Sequence, residues 1–180
     1  ARSWARRGLL KGGGVVSTIM ANMNFERYLA SNGLKLERTK VGDRYVVEAM
    51  RAAGMNIGGE PSGHLVLSDY STTGDGLVSA LQVLAVVVEE GRRVSDACRS
   101  YDPLPQVSLN VRHGGGEPLQ ADTVRTAIKK GEARLGAKGR LVIRPSGTEP
   151  VIRIMAEGED ATLIATIADD IGRTIEKARG

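Results

Sequence analysis

The stretch Leu141-Val142-Ile143-Arg144-Pro145-Ser146-Gly147-Thr148-Glu149-Pro150-Val151-Ile152-Arg153-Ile154-Met155 sets a polar insert, Arg144 to Pro150, between two apolar runs. Short apolar runs bounded by proline, serine and glycine read as strands joined by a tight turn. The turn offers a guanidinium, two hydroxyls and a glycine whose amide a ligand can approach closely, and Arg153 follows on the second strand. Arginine contacts phosphate oxygens through two parallel charge-assisted hydrogen bonds, while hydroxyls and loop amides satisfy the remaining oxygens. This chemistry leaves two readings open. One is a phosphate cradle of Arg144, Ser146, Gly147 and Thr148 with Arg153 in support; the other is a polar hairpin turn with solvated arginines.

Around that hairpin the second half of the chain reads as strand (Gln106 to Arg112), helix (Asp122 to Leu135), strand (Leu141 to Arg144), strand (Ile152 to Glu157) and helix (Ala161 to Ala178). The last helix places Ile164, Ile167, Ile171 and Ile175 on one stripe. The spacing predicts a small α+β domain over 106–180, a hairpin sheet with helices on one face. Asp102-Pro103-Leu104-Pro105 reads as a linker, since two prolines within three residues resist helix. Before it, residues 1–102 alternate: strand (Gly14 to Met20), helix (Asn24 to Ala30), strand (Lys35 to Lys40), helix (Asp43 to Ala53), strand (Leu65 to Leu67). A long helix follows from Gly76 with Leu77, Ala80, Leu81, Leu84 and Val88 on one face, then a short helix from Val94 to Tyr101. That pattern predicts a layered α/β domain with a mixed, partly parallel sheet.

A second polar loop, Gly58-Gly59-Glu60-Pro61-Ser62-Gly63-His64, precedes the Leu65 strand. On an extended chain Glu60 and Ser62 share one side, and a carboxylate beside a hydroxyl suits vicinal sugar hydroxyls. His64 is a candidate proton carrier near neutral pH. A glycine-rich turn with incidental polar groups is the plainer reading. Composition narrows the class. Residues 1–102 carry 13 basic and 11 acidic side chains and residues 103–180 carry 12 and 10, so each part is +2 and neither has a polarised basic tail. With aromatics at 3% there are no stacking platforms for bases, and a structural or nucleic-acid role is disfavoured. The mild positive balance suits anionic sugar phosphates. The longest apolar run, Leu77 to Val88, is too short for a membrane span. A single cysteine, Cys98, forms no intramolecular disulfide and is read as a small buried hydrophobe in a protein of a reducing, cytoplasmic compartment.

Together the two loops resemble the α-D-phosphohexomutase family. Its sugar-recognition loop has the form G-E-x-S-G-H, matched by Gly59 to His64, and its phosphate loop the form R-x-S-G-T-E-P, matched by Arg144 to Pro150. Lys40 to Val46, Thr72 to Leu77 and Pro105 to Arg112 are similar to the bacterial branch that acts on glucosamine phosphates. Pro61 stands where that branch commonly has glutamine; it stiffens the loop and removes no contact.

The resemblance implies a four-domain enzyme of which this chain is the third and fourth domains. The family's phosphoserine loop and its D-x-D-x-D-R magnesium loop lie in the first two domains, and neither motif occurs here. It opens on Ala1-Arg2-Ser3-Trp4 with no initiator methionine and is read as a fragment. The implied reaction interconverts glucosamine 6-phosphate and glucosamine 1-phosphate. It passes through a phosphoserine enzyme and a bisphosphate, and feeds the nucleotide-sugar precursor of the cell wall. The implied partners are a hexosamine phosphate and the missing N-terminal domains, with Mg2+ held in the full-length enzyme. By the same resemblance Arg144, Ser146, Gly147, Thr148 and Arg153 grip the non-reacting phosphate. Glu60 and Ser62 bind sugar hydroxyls, Gly42 and Asp43 flank the sugar, and His64 faces the reacting phosphate. A piece of a mannose- or glucose-phosphate mutase and a stand-alone sugar-phosphate-binding module are the alternatives.

Overall fold

A computed structural model describes residues 1–147 and 149–178. It divides into two compact units, Ala1–Pro103 and Leu104–Gly180.

The first unit is built on a four-stranded mixed sheet in the order β2-β1-β3-β4, with β1 (Gly14–Thr18), β2 (Lys35–Thr39), β3 (Ile57–Gly59) and β4 (Leu65–Leu67). β1 runs parallel to β2 and β3, while β3 and β4 are antiparallel. Every residue of β1 is buried, as expected of a central strand covered on both faces. Its side chains alternate between two cores. Val16 packs with Val46, Met50, Met55 and Val66, and Val15 with Leu29 and Leu34. Thus α3 (Asp43–Ala53) supplies one layer and α2 (Met23–Ser31) the other. α3 ends where Gly54 takes a left-handed conformation (φ 63°), the usual helix stop. β3 has no counterpart in the sequence reading, because a strand of Ile57, Gly58 and Gly59 carries one apolar side chain and no alternation. Glycine is needed there. A Cβ on Gly58 would stand 2.7 Å from Val46 Cγ1 and press on the Met50 sulfur, so α3 packs directly on the β3 backbone.

α4 (Gly76–Glu90) starts at Asp75, whose carboxylate accepts from the amides of Leu77 and Val78. Its apolar stripe does not face the core: Leu77 is 80% exposed, Leu81 64%, Leu84 50% and Val88 80%. A stripe this bare is a surface suited to contact with further protein. α1 (Arg2–Arg6) is tied to its far end, with Arg6 and Arg2 meeting Glu90 and Arg7 meeting Glu89. Hydrogen bonds from Arg92 and Arg6 hold the Glu90 carboxyl below the usual carboxylate range. Arg92 and Arg93 likewise meet acidic neighbours, Glu90 and Asp96. Cys98 corrects an expectation. It is exposed, because α5 (Val94–Cys98) is a single short helix that buries none of its residues.

The second unit is a three-stranded antiparallel sheet in the order β5-β7-β6, from β5 (Gln106–Arg112), β6 (Gly139–Pro145) and β7 (Val151–Gly158). α6 (Asp122–Leu135) and α7 (Ala161–Lys177) cover one face. Ile152, Ile154 and Ala156 of β7 point into that core, against Ile164, Ile167, Ile171 and Ile175 of α7. The alternate residues Arg153, Met155 and Glu157 therefore lie on the opposite face. Glu157 is fully buried and bridges all three strands, paired with Arg140 of β6 and accepting from Gln106 of β5. No helix among the described residues is long and apolar enough to cross a membrane.

Candidate functional site

The Glu60 loop is the turn between β3 and β4. Glu60 N–H donates to His64 O (2.9 Å) and Gly63 N–H to Glu60 O (3.0 Å), with Gly63 at φ 95°. The extended geometry expected for Glu60 and Ser62 is therefore not found. Pro61 and the left-handed Gly63 close the chain on itself, and the two side chains take different partners. Glu60 Oε1 accepts from the Gly42 amide at 2.9 Å, and Ser62 Oγ meets His64 Nδ1 at 2.9 Å.

Gly42 is the N-cap of α3 at φ 130°, so Glu60 docks on a helix N-terminus, where negative charge is favoured. Asp43 follows in the first turn. One ligand atom each of Asp43, Glu60 and His64 lies within 4.8 Å of the others. Gly42, Asp43, Glu60, Ser62 and His64 are thus brought together from two segments 18 residues apart (Gly42 to Glu60). Leu65 O accepts from Asp75 N–H at 3.3 Å, which brings the start of α4 alongside the same turn. Two carboxylates and an imidazole do not suit magnesium, which takes oxygen ligands in near-octahedral geometry. The cluster therefore does not fit as the family's magnesium site.

The second loop joins β6 to β7 as expected. Ser146 N–H donates to Val151 O at 2.8 Å, continuing the ladder one step beyond Pro145. Residues 146–150 connect the two strands, and a Cβ on Gly147 would meet nothing within 4 Å, so its backbone is open to approach. Thr148 lies outside the described residues. Register places Arg144 directly opposite Arg153. Directly opposed side chains stand about 4.5–5.5 Å apart at Cβ, and like charges there are destabilising. Arg153 reaches Glu149 Oε2 at 3.3 Å with one Nη, while its buried Nε has no partner among the described residues. A buried donor without an acceptor carries a desolvation penalty. An anion seated over the pair would offset both the repulsion and the missing acceptor. The role of Glu149 was missed in the sequence. Its signal was the four-residue spacing from Arg153 across a turn, which brings the two side chains together only once the hairpin register is known.

Residues 1–104 match the family model "Phosphoglucomutase/phosphomannomutase, alpha/beta/alpha domain III", and residues 109–173 match "Phosphoglucomutase/phosphomannomutase, C-terminal domain". Among curated relatives, the phosphoglucosamine mutase of Brucella anthropi is 59% identical over 95% of this chain, which covers 38% of that protein. That of Mesorhizobium japonicum is 58% identical over 99% of the chain and 40% of the relative. The chain thus spans about two fifths of the length of the curated relatives it matches. Among solved structures, the N-acetylphosphoglucosamine mutase of Aspergillus fumigatus superposes with TM-score 0.79 at 19% identity, over 99% of this chain and 40% of that one. The same fungal enzyme in complex with GlcNAc-6P and magnesium gives TM-score 0.76 at 18% identity, over 92% of this chain and 42% of that one, a likeness of fold.

Proposed function

The chain belongs to the phosphoglucomutase/phosphomannomutase family, and from that premise we propose that it is the recognition half of a phosphoglucosamine mutase. The longer enzyme interconverts glucosamine 6-phosphate and glucosamine 1-phosphate. Its serine passes a phosphoryl group to the sugar phosphate, and the bisphosphate returns the other one. The non-reacting phosphate needs a constant grip. Arg144, Arg153, the hydroxyl of Ser146 and the open backbone at Gly147 provide it, with Thr148 as a further donor. The observation that carries this reading is the opposed Arg144–Arg153 pair with its unpartnered Nε. The names of the bacterial relatives support the choice of sugar.

The first unit reads the sugar. Glu60 and Ser62 accept and donate to its hydroxyls, Gly42 and Asp43 flank it, and His64 handles a proton at the reacting phosphate. The Gly42 amide orients the Glu60 carboxylate before any sugar arrives, which lowers the ordering cost of binding. Magnesium and the phosphoserine belong to the preceding domains of the longer relatives, and the bare α4 stripe supports protein contact on this chain. Magnesium when bound neutralises charge at the phosphoryl group being transferred.

Calorimetric titration with glucosamine 6-phosphate tests the whole reading, with glucosamine and inorganic phosphate as controls. Selective binding of the sugar phosphate is expected. Indifference between sugar phosphate and phosphate would remove the sugar-reading role, and no binding of either would remove both. Glu60→Ala is expected to weaken selectivity among sugar phosphates while leaving phosphate affinity unchanged. An equal loss for inorganic phosphate would make Glu60 a structural residue. The chain by itself is expected to show no mutase turnover with or without magnesium, because it holds neither nucleophile nor metal loop. Turnover by a pure sample contradicts the division of labour.

A further inference from the structure

The outer face of the second unit's sheet carries more than the two arginines of the loop motif. Antiparallel pairing sets Asn110 of β5 opposite Arg153, which is itself opposite Arg144. The three side chains form one row across all three strands. Val107, Leu109 and Val111 of β5 turn toward the helices, so Ser108, Asn110 and Arg112 share the outer face with the row. All three are exposed.

The ladder continues past Arg112, because His113 N–H donates to Pro150 O at 3.1 Å. The end of β5 therefore runs beside the last residue of the phosphate loop, and Arg112 stands at the loop's margin. Asn110 has no side-chain hydrogen bond among the described residues. Strands lie about 4.8 Å apart, so an anion centred on Arg153 is within reach of both neighbouring strands. Glu149 meets Arg153, and the register groups the guanidinium groups of Arg112, Arg144 and Arg153 with the Asn110 amide around the loop.

We propose that Asn110 and Arg112 extend the phosphate site across β7 onto β5. Asn110 donates its side-chain N–H to a phosphoryl oxygen held by Arg153, and Arg112 adds a charge-assisted contact from the loop margin. The ligand class is the phosphate dianion of a sugar phosphate. This rests on the reading of Arg144 and Arg153 as a phosphate grip.

The test is titration of the chain with inorganic phosphate for Asn110→Ala, Arg112→Ala, Arg144→Ala and Ser108→Ala, each checked for an unaltered thermal unfolding profile. Asn110→Ala and Arg112→Ala are expected to weaken phosphate binding by roughly tenfold each, from the loss of a hydrogen bond to a charged group. Ser108→Ala, on the same strand and face but one row further from the loop, is expected to leave it unchanged. Full affinity in both Asn110→Ala and Arg112→Ala, with loss in Arg144→Ala, overturns the extension and leaves the loop reading standing. Equal losses in Ser108→Ala and Asn110→Ala overturn it as a general effect of altering β5. An unchanged Arg144→Ala, or no phosphate binding by the unaltered chain, overturns the underlying reading as well.

Discussion

Arg144→Ala is expected to remove about 2–4 kcal/mol of phosphate binding, roughly 30- to 1,000-fold in dissociation constant. The size follows from where Arg144 sits. It is half-buried near the end of β6 and confronts Arg153 across the ladder, an unfavourable opposition of like charges that a bound anion would relieve. Removing one guanidinium deletes both a bidentate contact and half of the field that attracts the dianion. Arg144→Lys keeps the charge but loses the planar fork, so it is expected to recover part of the affinity. A truncation that left phosphate affinity intact would show that the pair is tolerated for some other reason and would end the phosphate-grip reading. The opposite sign is expected for folding: with the repulsion gone, Arg144→Ala should unfold no earlier than the unaltered chain.

Glu157→Ala is the substitution expected to harm the fold most, by about 3–5 kcal/mol. Glu157 has no exposed surface and sits in a row with Arg140 on one side and Gln106 on the other. Deleting it removes the buried carboxylate that Arg140 and Gln106 share, in the central strand of a three-stranded sheet. Urea unfolding followed on the second unit's transition measures the effect, since the two units need not unfold as one. A loss under about 1 kcal/mol, the range of a solvent-exposed pair, would show that the bridge contributes little. Glu157→Gln should fall between the two, keeping an acceptor without the charge.

Much of this architecture was legible in the residues. The isoleucines of α7 recur at helical spacing and are 1% exposed or less, because one helix covering one sheet face leaves periodicity nothing to compete with. The mixed sheet of the first unit followed from the alternation of apolar runs and helical stripes. What escaped did so for physical reasons. β3 is held by its neighbours' backbones and by the close approach of α3 to Gly58, so its side chains announce nothing. The Glu60 turn closes through hydrogen bonds between main-chain groups, which alternation rules do not see. The stripe on α4 satisfied every sequence criterion for a core-facing helix, yet it is exposed, since periodicity reports that a face is apolar and not what covers it. At the loop between β6 and β7 the residue types were plain, but the opposition of Arg144 to Arg153, and of Asn110 to Arg153, exists only once register is fixed.

The opposed arginines also bear on how this protein must be handled. On the phosphate-grip reading, the opposed charges of Arg144 and Arg153 attract more than one intended occupant. Small oxyanions in the medium are then expected to occupy the loop, and binding to the folded chain alone would raise apparent stability by mass action. Melting temperatures recorded in phosphate or sulfate are therefore expected to exceed those in anion-free buffer. Substrate affinities measured in such buffers would be competition constants, so anion-free conditions and a stated ionic strength belong to the definition of both quantities.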